Sequence, residues 1–205
     1  MMHSRIELYP VFGEDSGETS FDPHYAIQGG WVLRGLVDRR PSRHVDVGSQ
    51  IPYLPFFAAL APTTFVDIRP SGLRYPGLTE LSGSIFDLDR LVGQAPSISC
   101  LHVVEHVGLG RYGDPLDPRG TERACGALAS AVEPGGYLYL STPIGRPRVC
   151  FNAHRVSTAS QIADWVGLDL ETFDAVGDDG QYYQGADLDA FDDAEYALGL
   201  FGFAA

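Results

Sequence analysis

The sequence contains no lysine. All fourteen of its basic residues are arginine, and none follows Arg155. A P-loop, which needs a lysine to reach the phosphates, is thereby excluded. The net charge of −13 argues against a nucleic-acid backbone as the main partner, because phosphate contacts call for a basic surface. Residues 156–205 hold eleven Asp or Glu, which reads as a solvated acidic face. Within it, Asp187, Asp189, Asp192 and Asp193 lack the glycine and terminal glutamate of an EF-hand loop at their required offsets, so a calcium loop is rejected. Cysteine is scarce: Cys100, Cys125 and Cys150 are an odd number with no CxxC, which suits reduced thiols rather than a disulfide framework or a zinc site. No metal is expected. No apolar run approaches the roughly 18–20 residues that span a bilayer. The first residues, Met1 to Glu7, lack the basic and apolar regions of a signal peptide, so a cytoplasmic location is the expectation.

A chain of 205 residues with a 44% apolar share fits one soluble domain. An irregular arm is expected over residues 1–20, followed by a helix with Asp22 as N-cap and Pro23 at its first position, closed by Arg39-Arg40-Pro41. This arm and helix, residues 1–42, are expected to pack on a domain formed by residues 43–205. Five apolar runs then predict strands at 43–47, 63–68, 79–85, 97–103 and 136–141. Helices are predicted at 54–60, 88–92, 121–132 and about 158–166, the last with Ser157 as N-cap. Two further strands, near 170–176 and 196–203, have no helix between them. The expected fold is α/β: a Rossmann-like three-layer sandwich on a mostly parallel seven-stranded sheet ending in an antiparallel hairpin.

In such a sheet, ligands sit at the carboxyl ends of the strands where the strand order reverses. The first strand ends in Asp46-Val47-Gly48-Ser49-Gln50, where Gly48 lets backbone approach a ligand. The second ends in Asp67, nineteen residues after Gly48, an offset that suits hydrogen bonds to ribose hydroxyls. The G-x-G-x-x-G of a dinucleotide site is missing, since Gln50 and Tyr53 stand where glycines would be needed. Adenosine without a pyrophosphate fits this turn best, which points to S-adenosylmethionine.

The order of strands, the acid after strand two, the stretch Ser99-Cys100-Leu101-His102-Val103-Val104-Glu105-His106 and the stretch Glu133-Pro134-Gly135-Gly136 resemble a class I S-adenosylmethionine-dependent methyltransferase. More narrowly, Asp22-Pro23-His24-Tyr25, His44 to Ser49, Gly108-Leu109-Gly110-Arg111-Tyr112-Gly113-Asp114-Pro115 and Phe151-Asn152-Ala153-His154-Arg155-Val156 resemble the domain of unknown function 268 family, over roughly residues 20–180. The resemblance implies that Asp46, Gly48 and Ser49 form the first methyltransferase motif and that Asp67 binds ribose. It places Ser84 where an acid usually lies near adenine, with Asp87 as a substitute. It also implies a small-molecule acceptor, with a sugar hydroxyl as the finer expectation. The motif after Gly48 departs from the pattern, keeping one glycine of a G-x-G-x-G.

The segment after strand four supplies His102, Glu105 and His106 as catalytic candidates, and His106 is the expected base because imidazole titrates near neutrality. Strand alternation sets His102 on the face opposite Leu101 and Val103, so all three groups are not expected in one cleft. The competing assignment is that Glu105 and His106 hydrogen-bond the backbone of the following loop. Arg111, Tyr112 and Asp114 in that loop, with His154 and Arg155 beyond strand five, are candidates for holding the acceptor. For Arg155 the alternative is a loop-closing contact to Asp114 or Asp117. A non-catalytic scaffold is the rival for the whole chain, favoured by the missing glycines. Side chains filling the space beyond Gly48 would support it, and an open pocket reaching Asp67 and His106 would support an enzyme.

Overall fold

A computed structural model describes residues 10, 17 and 19–205. Most of the expected arm over residues 1–20 lies outside the described residues. The elements are α1 (Pro23–Arg39), β1 (His44–Val47), α2 (Leu54–Leu60), β2 (Thr63–Asp67), β3 (Leu78–Ser82), α3 (Leu88–Val92), β4 (Ala95–Leu101), α4 (Gly120–Ala131), β5 (Val132–Ile144), β6 (Arg148–Cys150), β7 (His154–Val156), α5 (Ala159–Val166), β8 (Asp169–Val176), β9 (Tyr182–Tyr183) and β10 (Ala197–Ala204).

Local chemistry explains the helix boundaries. The Asp22 carboxylate accepts from the backbone N–H groups of His24 and Tyr25, and Pro23 costs no hydrogen bond at the first turn. Arg40 ends α1 in the left-handed region. Gly35 lowers the helix propensity of α1, but a Cβ there would lie 2.4 Å from the Tyr139 ring. The glycine is what lets α1 lie close on the sheet. α5 is capped by Thr158, one residue later than expected, through a reciprocal box with Gln161.

The sheet has the order β3-β2-β1-β4-β5-β10-β8-β9. β1 to β5 run parallel, with β1 between β2 and β4. The chain therefore leaves β1 toward one edge and returns across it to β4, which makes the β1/β4 boundary the switch point. β10 runs antiparallel to both β5 and β8. The expected pair of terminal strands exists, yet the later one is the inner one. Composition accounts for this: β10 is buried through nearly its whole length, as an interior strand needs, whereas β8 begins with exposed polar residues that suit an edge. Among the described residues the main sheet has eight strands rather than seven because Tyr182–Tyr183 adds a short edge strand. The hairpin of β6 and β7 was not expected. β5 begins at Val132, ahead of the expected 136, so that Pro134-Gly135 lies inside it, where the pairing with β4 shifts register.

Two apolar layers cover the sheet. Val45, Val47 and Cys100 pack with Leu128 of α4 and Ile162 of α5. On the other face Phe65 and Leu101 pack with Val32 and Leu36 of α1 and Phe57 of α2. Cys100, Cys125 and Cys150 are all free thiols. No helix among the described residues is long and apolar enough to cross a membrane.

A buried polar chain crosses the switch point on the α1/α2 face. The His44 ring meets the Ser97 hydroxyl through Nδ1 at 2.8 Å and the Ser99 hydroxyl through Nε2 at 2.9 Å. Ser99 donates to the fully buried Asp46, whose other oxygen accepts the Ser49 N–H at 3.2 Å. The Ser49 hydroxyl in turn accepts from the Leu101 N–H at 3.1 Å. Burial pushes His44 down to about 3 and Asp46 up to about 6, the latter restrained by its hydrogen bonds from Ser99 and Ser49. Ser99→Ala removes the donor to a buried carboxylate and the partner of a buried imidazole. A loss of about 1–3 kcal/mol is expected. Thermal unfolding should show a midpoint lowered by about 2–4 °C per kcal/mol in a chain of this size.

Candidate functional site

β1 stops at Val47, and Gly48 turns the chain with φ +68°. A Cβ there would lie 3.2 Å from both methyls of Val103 and 3.7 Å from Oδ2 of Asp67. Glycine is required both for the backbone angle and for the space. Above this turn the ends of β1, β2 and β4 open into a cleft of two lobes.

The apolar lobe, about 470 Å³, is walled by Ile68, Ser84, Phe86, Val103 and the 108–117 loop. Three of its large apolar side chains, Ile68, Phe86 and Leu116, are exposed to water. The second lobe, about 750 Å³, lies toward the start of α1 and is walled by Ser49, Gln50, His24, Tyr25, Arg111, His154 and Tyr196. Gly48, Asp67, Arg69, His102, His106 and Tyr112 border both lobes.

Asp67 sits at the end of β2, half-buried, with Oδ1 accepting the Arg69 N–H at 2.6 Å. Ser84 caps the turn before α3: its hydroxyl accepts the Phe86 N–H at 3.3 Å, while the Asp87 carboxylate accepts the Ser84 N–H at 2.9 Å. That backbone bond holds Asp87 below the usual carboxylate range, and its side chain does not border the cleft. Asp46 lies under the Gly48 turn rather than in the cleft and shapes the turn from behind.

β4 ends at Leu101, and His102 takes φ +56°, a left-handed angle rare outside glycine. The alternation expected through His102 therefore breaks one residue early. The chain continues into a 3₁₀ turn, Val104–His106, which folds Glu105 back beneath the histidine. His102, Glu105 and His106 thus form one cluster after all. His102 Nδ1 is 2.7 Å from Glu105 Oε1, and His106 Nε2 is 3.6 Å from the same oxygen. Glu105 is 1% exposed. Burial alone would raise its carboxyl, but His102 and then His106 hold it below its ordinary value. With Nδ1 donating to this carboxylate, Nε2 of His102 is left as a buried acceptor with no hydrogen-bond partner among the described residues. His106 is committed elsewhere, its Nδ1 lying 2.7 Å from the Ala153 carbonyl.

The acceptor candidates divide. Arg111, Tyr112 and His154 border the second lobe. Asp114 borders the apolar lobe but serves the loop, accepting the N–H of Gly108 at 2.7 Å and of Tyr112 at 3.3 Å. Arg155 is not in the cleft. Its guanidinium reaches the carbonyls of Val107, Gly108 and Asp117 and the Thr121 hydroxyl, so it clamps the 107–121 loop through backbone oxygens. Loop closure was foreseen for it, through carboxylates that it does not use. His24, Tyr25 and Tyr196 were not singled out as site residues. His24 and Tyr25 are neighbours in sequence but far from Tyr196, and only the position of α1 and β10 brings the three beside His102.

The family described as Caenorhabditis protein of unknown function, DUF268, matches residues 89–178. The N-methyltransferase NodS from Bradyrhizobium japonicum WM9, in complex with S-adenosyl-L-homocysteine, superposes with a TM-score of 0.59 at 17% identity, over 94% of this chain and 93% of that one. The fold is methyltransferase-like. A 1,6-didemethyltoxoflavin-N1-methyltransferase from Burkholderia thailandensis, with bound 1,6-didemethyltoxoflavin and S-adenosylhomocysteine, gives 0.56 at 12% identity over 89% and 79%. The small RNA methyltransferase HEN1 gives 0.62 at 19% identity over 93% of this chain, which spans only 27% of that protein. No curated protein matches the chain. The chain resembles the DUF268 family over residues 89–178 and shares the fold of these methyltransferases.

Two consequences of this geometry are measurable. Arg155→Met should leave the loop carbonyls unclamped, with faster amide hydrogen exchange at Gly108, Asp117 and Gly120 and little change in β1 or β4; unchanged exchange would refute the clamp. The second concerns acid. Burial, and then His102 beside it, lower His24 from 6.5 to about 4, and burial lowers His44 to about 3. The unfolded chain therefore binds these two protons at a pH where the folded one does not, so stability falls as pH drops below 6.5. Asp46, raised from 3.8 to about 6, acts oppositely between those values, because the folded state then holds the proton. Two histidines against one carboxyl give a net loss of stability with acid. The unfolding midpoint should fall from pH 6.5 to 4, and less steeply in His24→Phe.

Proposed function

We propose that the chain is an S-adenosylmethionine-dependent methyltransferase acting on a hydroxyl of a small molecule, with His102 as the base. The observation that carries the reading is the unpartnered Nε2 of His102, buried at the junction of the two lobes and held from behind by Glu105.

The residues present fit the cofactor. Gly48 keeps the floor of the cleft clear, Asp67 offers a carboxylate at the end of β2, and Ile68 and Phe86 offer flat apolar cover for a purine. Asp67 would hold the ribose hydroxyls, Ser84 would lie at the adenine, and Ser49 and Gln50 would face the amino-acid part. When bound, the cofactor supplies an electrophilic methyl group. The protein's part is to orient the acceptor and take its proton. Glu105 fixes the His102 ring with Nδ1–H toward the carboxylate, which leaves the lone pair on the buried Nε2 free to accept a proton. This is the logic of a base held by a third group. His106, whose Nδ1 is spent on the Ala153 carbonyl, is less suited to the role first expected of it and instead supports the loop.

The open space beyond Gly48, continuous with Asp67 and His106, favours the enzyme over a scaffold. The charge of −13 favours a small acceptor over nucleic acid. A saccharide and a phenol both present a hydroxyl of the required kind. Three free cysteines agree with a cytoplasmic setting.

Calorimetry with S-adenosylhomocysteine should show binding, weakened about ten- to a hundredfold in Asp67→Ala by loss of about 1.5–3 kcal/mol of hydrogen bonding. Absence of binding by the wild type up to millimolar ligand would sink the reading. With an accepted substrate, His102→Gln should lower kcat by about 10²–10⁴-fold, and His106→Asn by much less. The reverse order would move the base to His106.

A further inference from the structure

We infer that the acceptor is a planar aromatic ring bearing the reactive hydroxyl together with an anionic substituent. The inference rests on the methyl-transfer reading of the same cleft.

The second lobe has an unusual wall. His102 lies 5.5 Å from His24 with their planes 19° apart, and His24 lies 5.6 Å from Tyr196 with planes 17° apart. Tyr25 adds a ring 5.1 Å from His102, and His154 another 4.9 Å from Tyr196. Four separate pieces of the chain, at the start of α1, the end of β4, the start of β7 and the residue before β10, thus deliver one column of rings. The column borders open space rather than filling the core. Burial lowers the pKa of both His24 and His154, so these imidazoles are neutral at neutral pH. Such a cluster of flat rings suits contact with another aromatic ring.

The same lobe carries positive charge in a chain that is otherwise acidic. The guanidinium of Arg69 lies 4.1 Å from the centre of the Tyr112 ring and that of Arg111 lies 5.2 Å from it. Both arginines border the lobe and are exposed. One nitrogen of Arg111 is anchored on the Ala153 carbonyl at 2.9 Å, which aims the rest of the group. Planar guanidinium groups match a carboxylate well.

A polyol is the competing acceptor, and the carboxylates nearest the lobe are already engaged. The Asp22 carboxylate is engaged with the first turn of α1, Asp67 belongs to the ribose position, and Glu105 is shut behind His102. What sets the lobe apart is its cluster of rings, its cationic side and the unpartnered His102 Nε2 at its border. A hydroxylated aryl anion satisfies all three.

The test uses the full chain saturated with S-adenosylhomocysteine, after its binding has been measured alone. Calorimetry is then run with the three hydroxybenzoate isomers, phenol, methyl glucoside and glucuronate. At least one hydroxybenzoate is expected to bind tenfold or more tightly than phenol and both sugars. Arg111→Gln, a change at an exposed side chain, should remove the advantage over phenol while leaving phenol binding in place. Tyr196→Leu should weaken phenol and hydroxybenzoate alike. Glucuronate or glucoside binding as tightly as the best hydroxybenzoate would overturn the inference while leaving the methyltransferase reading intact. So would failure of every aromatic probe to bind, or a hydroxybenzoate affinity untouched by Arg111→Gln. Failure of S-adenosylhomocysteine itself to bind would overturn both.

Discussion

The buried hydrogen-bond chain from Ser97 through His44, Ser99 and Asp46 to Ser49 fastens β1 to β4 at the point where the sheet reverses its order. Everything that forms the cleft hangs from those two strand ends. The Gly48 turn is held from below by Asp46, and Ser49 links that turn to the N–H of Leu101, the residue before His102. A purely apolar contact between the strands would have been at least as stabilising, but it would have slid more freely. Directional bonds instead fix the height of the turn relative to the candidate base. The cost is a set of buried polar groups that must all be satisfied together.

A second economy concerns the residues just past β4. A left-handed backbone angle at His102 and a short 3₁₀ turn place Glu105 underneath the ring it orients, so that the proposed base and its support come from four consecutive residues. The loop that follows then needs external restraint, because its glycines supply shape without stiffness. Arg155 gives that restraint by bonding to carbonyl oxygens, and Asp114 does the same to amides from within the loop. The two charged groups earlier considered for substrate contact thereby act on backbone, one on each polarity of peptide group.

Much of the layered fold was legible in the sequence, since short apolar runs, helix caps and turn residues have local causes. The helices at Leu54–Leu60 and Leu88–Val92 lie where pattern placed them. The order of the last strands was not legible. β8 and β10 are both apolar enough to be strands, and only the burial of both faces of β10 decides which lies inside. Likewise Gly48 and Asp67 were readable because both belong to strand ends with a known relation in space. His24, though it lies in a stretch that carried the family resemblance, and Tyr196 were not, because their place beside His102 arises from packing between distant elements. His44 gave no sign of its network, for a histidine in a strand looks the same whether it faces serines or solvent. The assignment of Arg155 went astray for a related reason: sequence shows a charge, whereas its partners are main-chain atoms present at every residue.

The interior position of β10 bears on how the protein is made. A strand synthesised after all the others must enter between β5 and β8, so that half of the sheet stays open while residues 145–196 leave the ribosome. Its pairing with β5 is long-range in sequence, the kind of contact that forms late. Tyr196 arrives with it and completes the wall of rings beside His102. A growing chain that has not yet delivered β10 therefore lacks the Tyr196 side of this lobe.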